Sequence, residues 1–359
     1  MSGPPAWESP AGAGERAGRP QAHPGWGQVP GGWTAAPARP GIIPLRPVAL
    51  GEIYDGAFRA IRGNPRTLIG ISAVVIAATS LVTTVPQAAA LTSFGNSDLL
   101  DPSRAGSVGS ADVAAAVGGL VTALVLPALV QFIAVTVVTG LLILAVSDAV
   151  IGRATPPGRL WSQTRRRLPA LVGLALLLLA VAVAVLAALL APGILVLVLT
   201  DLPLLGVVLL VLGALLGGLT YLALGYGYWA LAAPALLLEN LSVTTSLRRS
   251  AGLVRGSFWR VLGILVLTAV IVSVLSGILS LPFTLIGSLL TIGQSSPYAG
   301  FGITLAQLLV SQIGTILAGA VLYPFTAAVT ALLYIDLRMR REGLDVELLR
   351  AAAEPGASA

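Results

Sequence analysis

Apolar residues run almost without interruption through six stretches of this chain, near residues 67–87, 117–147, 169–191, 203–238, 261–284 and 304–335. A helix needs about 20 apolar residues to cross the hydrocarbon of a bilayer. None of the six runs alternates every second residue, as a membrane β-strand does. The pattern predicts an all-α fold, a polytopic membrane bundle of six transmembrane helices. Three runs exceed the minimum length, and each carries a proline: Pro127, Pro234 and Pro324. Proline removes a backbone donor and kinks a helix, which membrane helices tolerate where neighbours supply partners. These long segments are expected to tilt, kink or continue beyond the lipid. "PGILVLVLTDLP" (192–203) reads either as a loop or as a re-entrant turn.

Polar patterning fills in the remainder. Leu50, Ile53, Tyr54, Ala57, Phe58 and Ile61 recur at three- and four-residue spacing, which places them on one helical face. Glu52, Asp55, Arg59 and Arg62 fall elsewhere on that helix, and Asn64-Pro65 ends it. A short amphipathic helix directly before a span suits the cytoplasmic membrane surface. Residues 1–44 are Pro, Gly and Ala with scattered Trp (Trp7, Trp26, Trp33), lack apolar periodicity, and read as a disordered tail. The expected organisation is a tail over 1–44, a six-span membrane domain with interfacial helices over 45–350, and a disordered tail over 351–359.

Charge gives these spans a direction. Arg153, Arg159, Arg165, Arg166 and Arg167 occupy the loop after the second run, and Arg248, Arg249, Arg255 and Arg260 the loop after the fourth. Arg59, Arg62 and Arg66 precede the first run, while Arg338, Arg340 and Arg341 follow the last. The opposite loops hold Arg104 with Asp98, Asp101, Asp112 and Asp201. Basic loops stay inside, so the expectation is a multi-pass protein of a bacterial cytoplasmic membrane with both termini cytoplasmic. No signal peptide is visible, and the first run reads as an uncleaved anchor.

Composition then removes whole classes of function. Apolar residues are 56% of the chain and charged residues 10%, against about a quarter charged in soluble domains; mean hydropathy is +0.92. There is no cysteine, and the single histidine, His23, lies in the tail. Thiolate and imidazole metal sites and Cys- or His-based catalysis are thereby excluded, and no cofactor is expected. All 21 basic residues are Arg, which reads as the codon bias of a GC-rich bacterial genome. They flank spans and build no basic, aromatic-bearing soluble domain, so nucleic-acid binding is not expected.

A repeated unit is legible. "RGNPRTLIGI" (Arg62–Ile71) and "RGSFWRVLGI" (Arg255–Ile264) share a frame, with "RRRLPALVGL" (Arg165–Leu174) at the equivalent place before the third span. Each unit reads as an interfacial helix, a span out, and a long proline-bearing span back that ends in an acid: Asp148, Glu239 or Asp336. The pattern reads either as three parallel repeats, related by an axis along the membrane normal, or as shared topology alone.

The stretches "GIIPLRPVALGEIYDGAFRAIRGNPRTLIG", "APALLLENLSVTTSLRRSAGLVRGSFWRVLGI" and "YPFTAAVTALLYIDLRMRREGLDVELLR" resemble the membrane domain of bacterial glycerophosphoryl diester phosphodiesterases. In particular they resemble its stand-alone form, common in high-GC Gram-positive bacteria. The resemblance spans Gly41 to Arg350. In some members of that family the domain precedes a soluble phosphodiesterase domain. Hydrolysis on that fold needs His and clustered carboxylates around a metal, which this sequence does not offer, so the resemblance implies a non-enzymatic membrane protein.

The candidate sites are therefore at the membrane borders. Asp148, Glu239 and Asp336 read as structural acids pairing with Arg at the cytoplasmic face, sharply as a ring of three and blandly as surface ion pairs. Arg62, Arg66, Arg165, Arg166, Arg167, Arg255, Arg260, Arg338, Arg340 and Arg341 set topology and are placed to meet membrane lipids, including anionic ones. Trp161, Phe258, Trp259 and Tyr334 read as an aromatic belt. Gly213 and Gly217, and more weakly Gly314 with Ala318, permit close helix approach inside the protein. Gln131, Thr136, Thr139, Tyr221, Tyr226, Tyr228, Gln307, Ser311, Gln312 and Tyr323 are the polar groups within spans, and no ionisable acid or base lies near mid-membrane. Two functions remain open. One is a scaffold organising lipid or partner proteins; the other is a transporter or lipid-translocating component with a neutral cavity lined by Gln131, Gln307 or Gln312.

Overall fold

The computed structural model describes residues 46–95, 110–150, 156–200, 202–293 and 300–343. The two terminal tails lie outside the described residues. Helices account for nearly all of what is described: α1 (Leu50–Gly63), α2 (Pro65–Gly95), α3 (Ser110–Val150), α4 (Pro157–Thr164), α5 (Leu168–Leu199), α6 (Pro203–Tyr221), α7 (Ala232–Leu238), α8 (Val243–Val254), α9 (Phe258–Leu289) and α10 (Phe301–Glu342). Six segments are long and apolar enough to span a membrane, the fourth combining α6 and α7. The protein is thus an all-α multi-pass membrane protein.

The short helices α1, α4 and α8 each lead into a span, giving three successive units of one short helix and two spans. α1 forms because its backbone ends are satisfied locally: the Ala49 N–H donates to Glu52 Oε2 at 2.8 Å, and Arg46 pairs with Oε1 of the same carboxylate at 2.7 Å. Its apolar face seats Ile53 and Ala57, both fully buried, while Phe58 at the flank is exposed. α1 breaks from α2 at Asn64, whose backbone leaves the helical region just before Pro65.

α10 is the hub. α9, α2 and α3 pack along it, and α1 crosses its end. From Leu322 to Met339 it is buried nearly all round, and before that its buried positions are small: Gly314, Ala318, Gly319 and Ala320. Lipid tails are as apolar as leucine, so helices in a membrane associate through van der Waals contact, which small residues permit at short range. Gly314 illustrates this: a Cβ there would stand 2.8 Å from the Ser280 Cα of α9.

The α5–α6 hairpin is built differently. Its two helices pack on each other through Gly193, Gly206, Gly213 and Gly217; a Cβ on Gly213 would stand 2.3 Å from the Leu189 carbonyl oxygen. The hairpin meets the remaining bundle mainly where α5 touches α3, α7 and α8. The helix continues through Pro192 to Leu199 and resumes at Pro203, so the 192–203 segment is not a re-entrant turn.

Candidate functional site: an intramembrane cavity above a clamped basic end

The fourth span is discontinuous, and its sequence says why. "LGYGYWALAAP" places Gly225 and Gly227 ahead of Pro234. Glycine weakens a helix, and Pro234 lacks an N–H and crowds the carbonyl four residues back, at Ala230. The helix widens over Leu222–Tyr228 into π geometry, closed by the Trp229 N–H donating to the Leu224 carbonyl at 2.8 Å. It then breaks at Trp229–Leu231 and restarts as α7. A kink is the expected effect of Pro234; the observed one is a full interruption one turn earlier, where the proline's clash falls.

A helix break within a membrane leaves backbone groups in need of partners. Ser250 of α8 supplies both. Its hydroxyl donates to the Tyr228 carbonyl at 2.6 Å and accepts from the Leu231 N–H at 3.2 Å, while the residue itself is fully buried. Gly227 lets the widened turn lie against Phe258 of α9, where a Cβ would be 2.3 Å from the ring. The Tyr228 and Phe258 rings stand 5.0 Å apart.

Two acid nodes clamp the Arg-rich end. On one side Asp336, fully buried, accepts from the Val48 N–H at 2.8 Å, from Arg340 Nε at 3.0 Å, and from Arg260. The same two arginines donate to the Val48 carbonyl, at 2.9 and 3.0 Å. A buried carboxylate is tolerated only when paired and hydrogen-bonded, and here the pairing ties the segment before α1 to α9 and α10. On the other side Glu239, at the end of α7, receives Arg249 at 2.8 and 2.9 Å, the Tyr334 hydroxyl, and Arg338 at 3.5 Å. Glu342 extends this node to Arg249 at 2.5 Å and Arg338 at 3.0 Å.

The geometry of α10 separates the nodes. Asp336 and Arg340 form one i,i+4 pair, and Tyr334 and Arg338 another, offset by two residues and therefore on opposite helical faces. Asp336 and Glu239 thus belong to separate nodes, and Asp148 lies half-buried near the end of α3. Burial alone would raise the Glu239 carboxyl. Hydrogen bonds from Arg249 and Tyr334, with the charges of Arg249 and Arg338, outweigh it and hold that carboxyl below its ordinary range. Arg249 is correspondingly pushed up, first by its hydrogen bond to Glu239.

The other border residues divide by role. Arg341 donates to the Gly252 carbonyl at 3.0 Å and to that of Arg255, holding the α8–α9 turn, in which Gly256 adopts φ +89°. Arg167 donates to Asn240 Oδ1 at 2.7 Å, beside the left-handed backbone of Asn240. Arg62, Arg66, Arg165, Arg166 and Arg255 are exposed at this same end. Trp161 and Trp259 are exposed as belt residues should be, but Tyr334 is fully buried and Phe258 packs on the helix break. Their aromaticity serves the interior.

Above this end lies a cavity of about 390 Å³ between the hairpin and the bundle. Leu174, Leu178, Val181 and Val185 of α5 face it, opposite Leu265, Ala269 and Val272 of α9; α3, the broken fourth span and α10 complete the wall. On α9 the lining starts seven residues in and ends fifteen in, about 10–22 Å along the helix. The cavity thus lies in the half of the 32-residue α9 nearer the Arg-rich end and reaches toward the middle of that span. Toward the Arg-rich end it is plugged by the packed cluster of Leu231, Ala235, Ile264, Leu265 and Val329.

Thr136, Thr139, Tyr221, Tyr226 and Tyr323 line this space, while Gln131 stands behind Tyr323 and donates to its hydroxyl at 3.1 Å. Gln307 and Gln312 do not line it, contrary to expectation: Gln307 lies against Gly287 of α9, farther along α10. Trp229, at the break, also faces the cavity. The Gly-Gly-Pro pattern of the fourth span could have announced the break; nothing local marks Ser250 or Val48, which act through long-range contacts.

Among the described residues no group of three or more His, Cys, Asp or Glu is placed to hold a metal. Residues 56–337 match the family described as the domain of unknown function DUF7847, and the chain belongs to that family. No curated protein and no solved structure matches it.

Proposed function

We propose that this family member is a non-enzymatic carrier of the bacterial cytoplasmic membrane, which takes an uncharged molecule into its intramembrane cavity. The basic end and both termini face the cytoplasm, where the exposed arginines each gain about 1 kcal/mol from anionic lipid. The observation that carries this reading is the cavity itself, set between the spans beside a broken helix. Discontinuous helices at a midplane site are the recurring architecture of carriers, and π-helical turns cluster at functional sites. A scaffold needs no such void. The resemblance to phosphodiesterase membrane domains belongs to the same proposal, as a role next to lipid without the hydrolytic step.

In this mechanism the bundle around α10 is the fixed part. The α5–α6 hairpin moves against it about the Leu222–Leu231 segment, with Ser250 holding the loose backbone ends. Native mass spectrometry directly from membranes tests the reading. The wild-type chain is expected to carry a small non-protein mass that Ala269→Phe, which fills the cavity, no longer carries. Protein partners without any small mass in either chain would return the reading to a scaffold.

A further inference from the structure

The cavity wall specifies the chemistry of its occupant. Every described residue that lines it is uncharged. An ion or phosphate drawn into this cavity would lose its hydration with no counter-charge to replace it, a penalty of several kcal/mol. The lining is mostly hydrocarbon, yet it is not inert. The hydroxyls of Thr136, Thr268, Thr326 and Thr330 are committed to carbonyls of their own helices. Those of Thr139 and Tyr226 have no partner among the described residues and are not buried, so they open onto the space they line, as does that of exposed Ser273. Tyr323 accepts from Gln131 and keeps its own proton to donate.

Size and access narrow the class further. A volume of about 390 Å³ is near the small end of the ordinary ligand range of about 300–1,000 Å³. It suits one hydrocarbon chain with a compact head better than a two-chain phospholipid. Beyond the cavity, away from the Arg-rich end, α6 and α9 do not pack on each other, and Leu212 and Leu215 of α6 and Val274 and Ile278 of α9 are all exposed. The Arg-rich end is plugged, so entry is from the lipid phase.

Resting on the carrier reading above, we propose that the ligand is an uncharged single-chain lipid. Its hydroxyl or carbonyl head hydrogen-bonds to the free hydroxyls of Thr139, Tyr226 and Ser273 and accepts a hydrogen bond from that of Tyr323. No covalent step is involved.

Trp229 reports occupancy directly. In nanodiscs, a brominated monoacylglycerol is expected to quench tryptophan emission saturably, and Trp229→Phe removes the saturable part. Tyr226→Phe and Thr139→Val, checked for unchanged thermal midpoints, are expected to weaken the neutral probe about tenfold. The matching brominated fatty acid, ionised at pH 8, binds at least tenfold more weakly than the neutral probe in the wild type. Equal or stronger quenching by the ionised probe overturns the lipid class and leaves the carrier reading intact. Unchanged affinity in both hydroxyl variants overturns the head-group contacts in the same way. Absence of saturable quenching by either probe in the wild type overturns the carrier reading itself.

Discussion

α10 and α5 invert the usual relation between hydropathy and burial. The most apolar window of α5 has a mean hydropathy of 3.1 and is 11% buried, whereas that of α10 has 2.0 and is 72% buried. In water the more apolar helix would be inside. In a bilayer leucine gains nothing by leaving lipid, so Leu-rich α5 faces outward while α10, carrying Gly, Ala and Thr, is drawn in by close packing and hydrogen bonds. The buried hub and the outward-facing hairpin are therefore distinguished by residue size and polarity.

The contrast can be broken most severely at the hub. Asp336→Ala removes the carboxylate that Arg260, Arg340 and the Val48 N–H share. A loss of about 3–5 kcal/mol is expected, read as a lowered thermal midpoint in detergent, with Asp336→Asn intermediate. In the hairpin, Gly213→Ala forces α5 and α6 apart and costs about 1–3 kcal/mol. Gly277→Ala on α9, where a Cβ meets nothing within 4 Å, is the neutral control. An equal response of both glycine variants would contradict the hairpin packing.

Next comes the second node. Tyr334→Phe removes a hydrogen bond to an ionised carboxylate and is expected to cost about 1.5 kcal/mol. Because the Glu239 carboxyl is lowered in the folded state, its stabilisation is present above the unfolded value of about 4.3 and fades as pH falls through the folded one. Thermal midpoints measured from pH 7 to pH 3 are expected to drop more in the wild type than in Glu239→Gln. The smallest effect belongs to the exposed Arg59–Asp55 pair, spaced i,i+4. Arg59→Ala should change stability by about 0.5 kcal/mol or less.

The six spans, the interfacial helix over Leu50–Gly63 and the three-unit plan were legible because hydropathy and Arg placement encode them locally. The internal use of Gly213 was legible too, since G-x-x-x-G spacing describes one helical face. Less legible was the partition of the border acids into two nodes. That depends on Val48, separated from Asp336 by most of the chain, and on the phase of α10. The cavity was half visible: Thr139, Tyr226 and Tyr323 stood out as polar groups within spans, but the wall they share is set by how far the hairpin stands from α9. Gln307 and Gln312 carried the same polarity and point elsewhere, because side-chain type does not report which helices meet.

Whether the hairpin moves against a fixed hub is the question on which the account turns. The chain has no cysteine, so spin labels can be placed on introduced cysteines without background. One pair at exposed Leu212 of α6 and Val274 of α9 spans the cleft, and a second at Val274 and exposed Leu317 spans the α9–α10 contact. Pulsed electron–electron distance measurements in nanodiscs, with and without a neutral single-chain lipid, compare them. The account predicts a broad first distribution that shifts and narrows on lipid addition beside an unchanged second one. Two equally narrow distributions, neither responding to lipid, would contradict it.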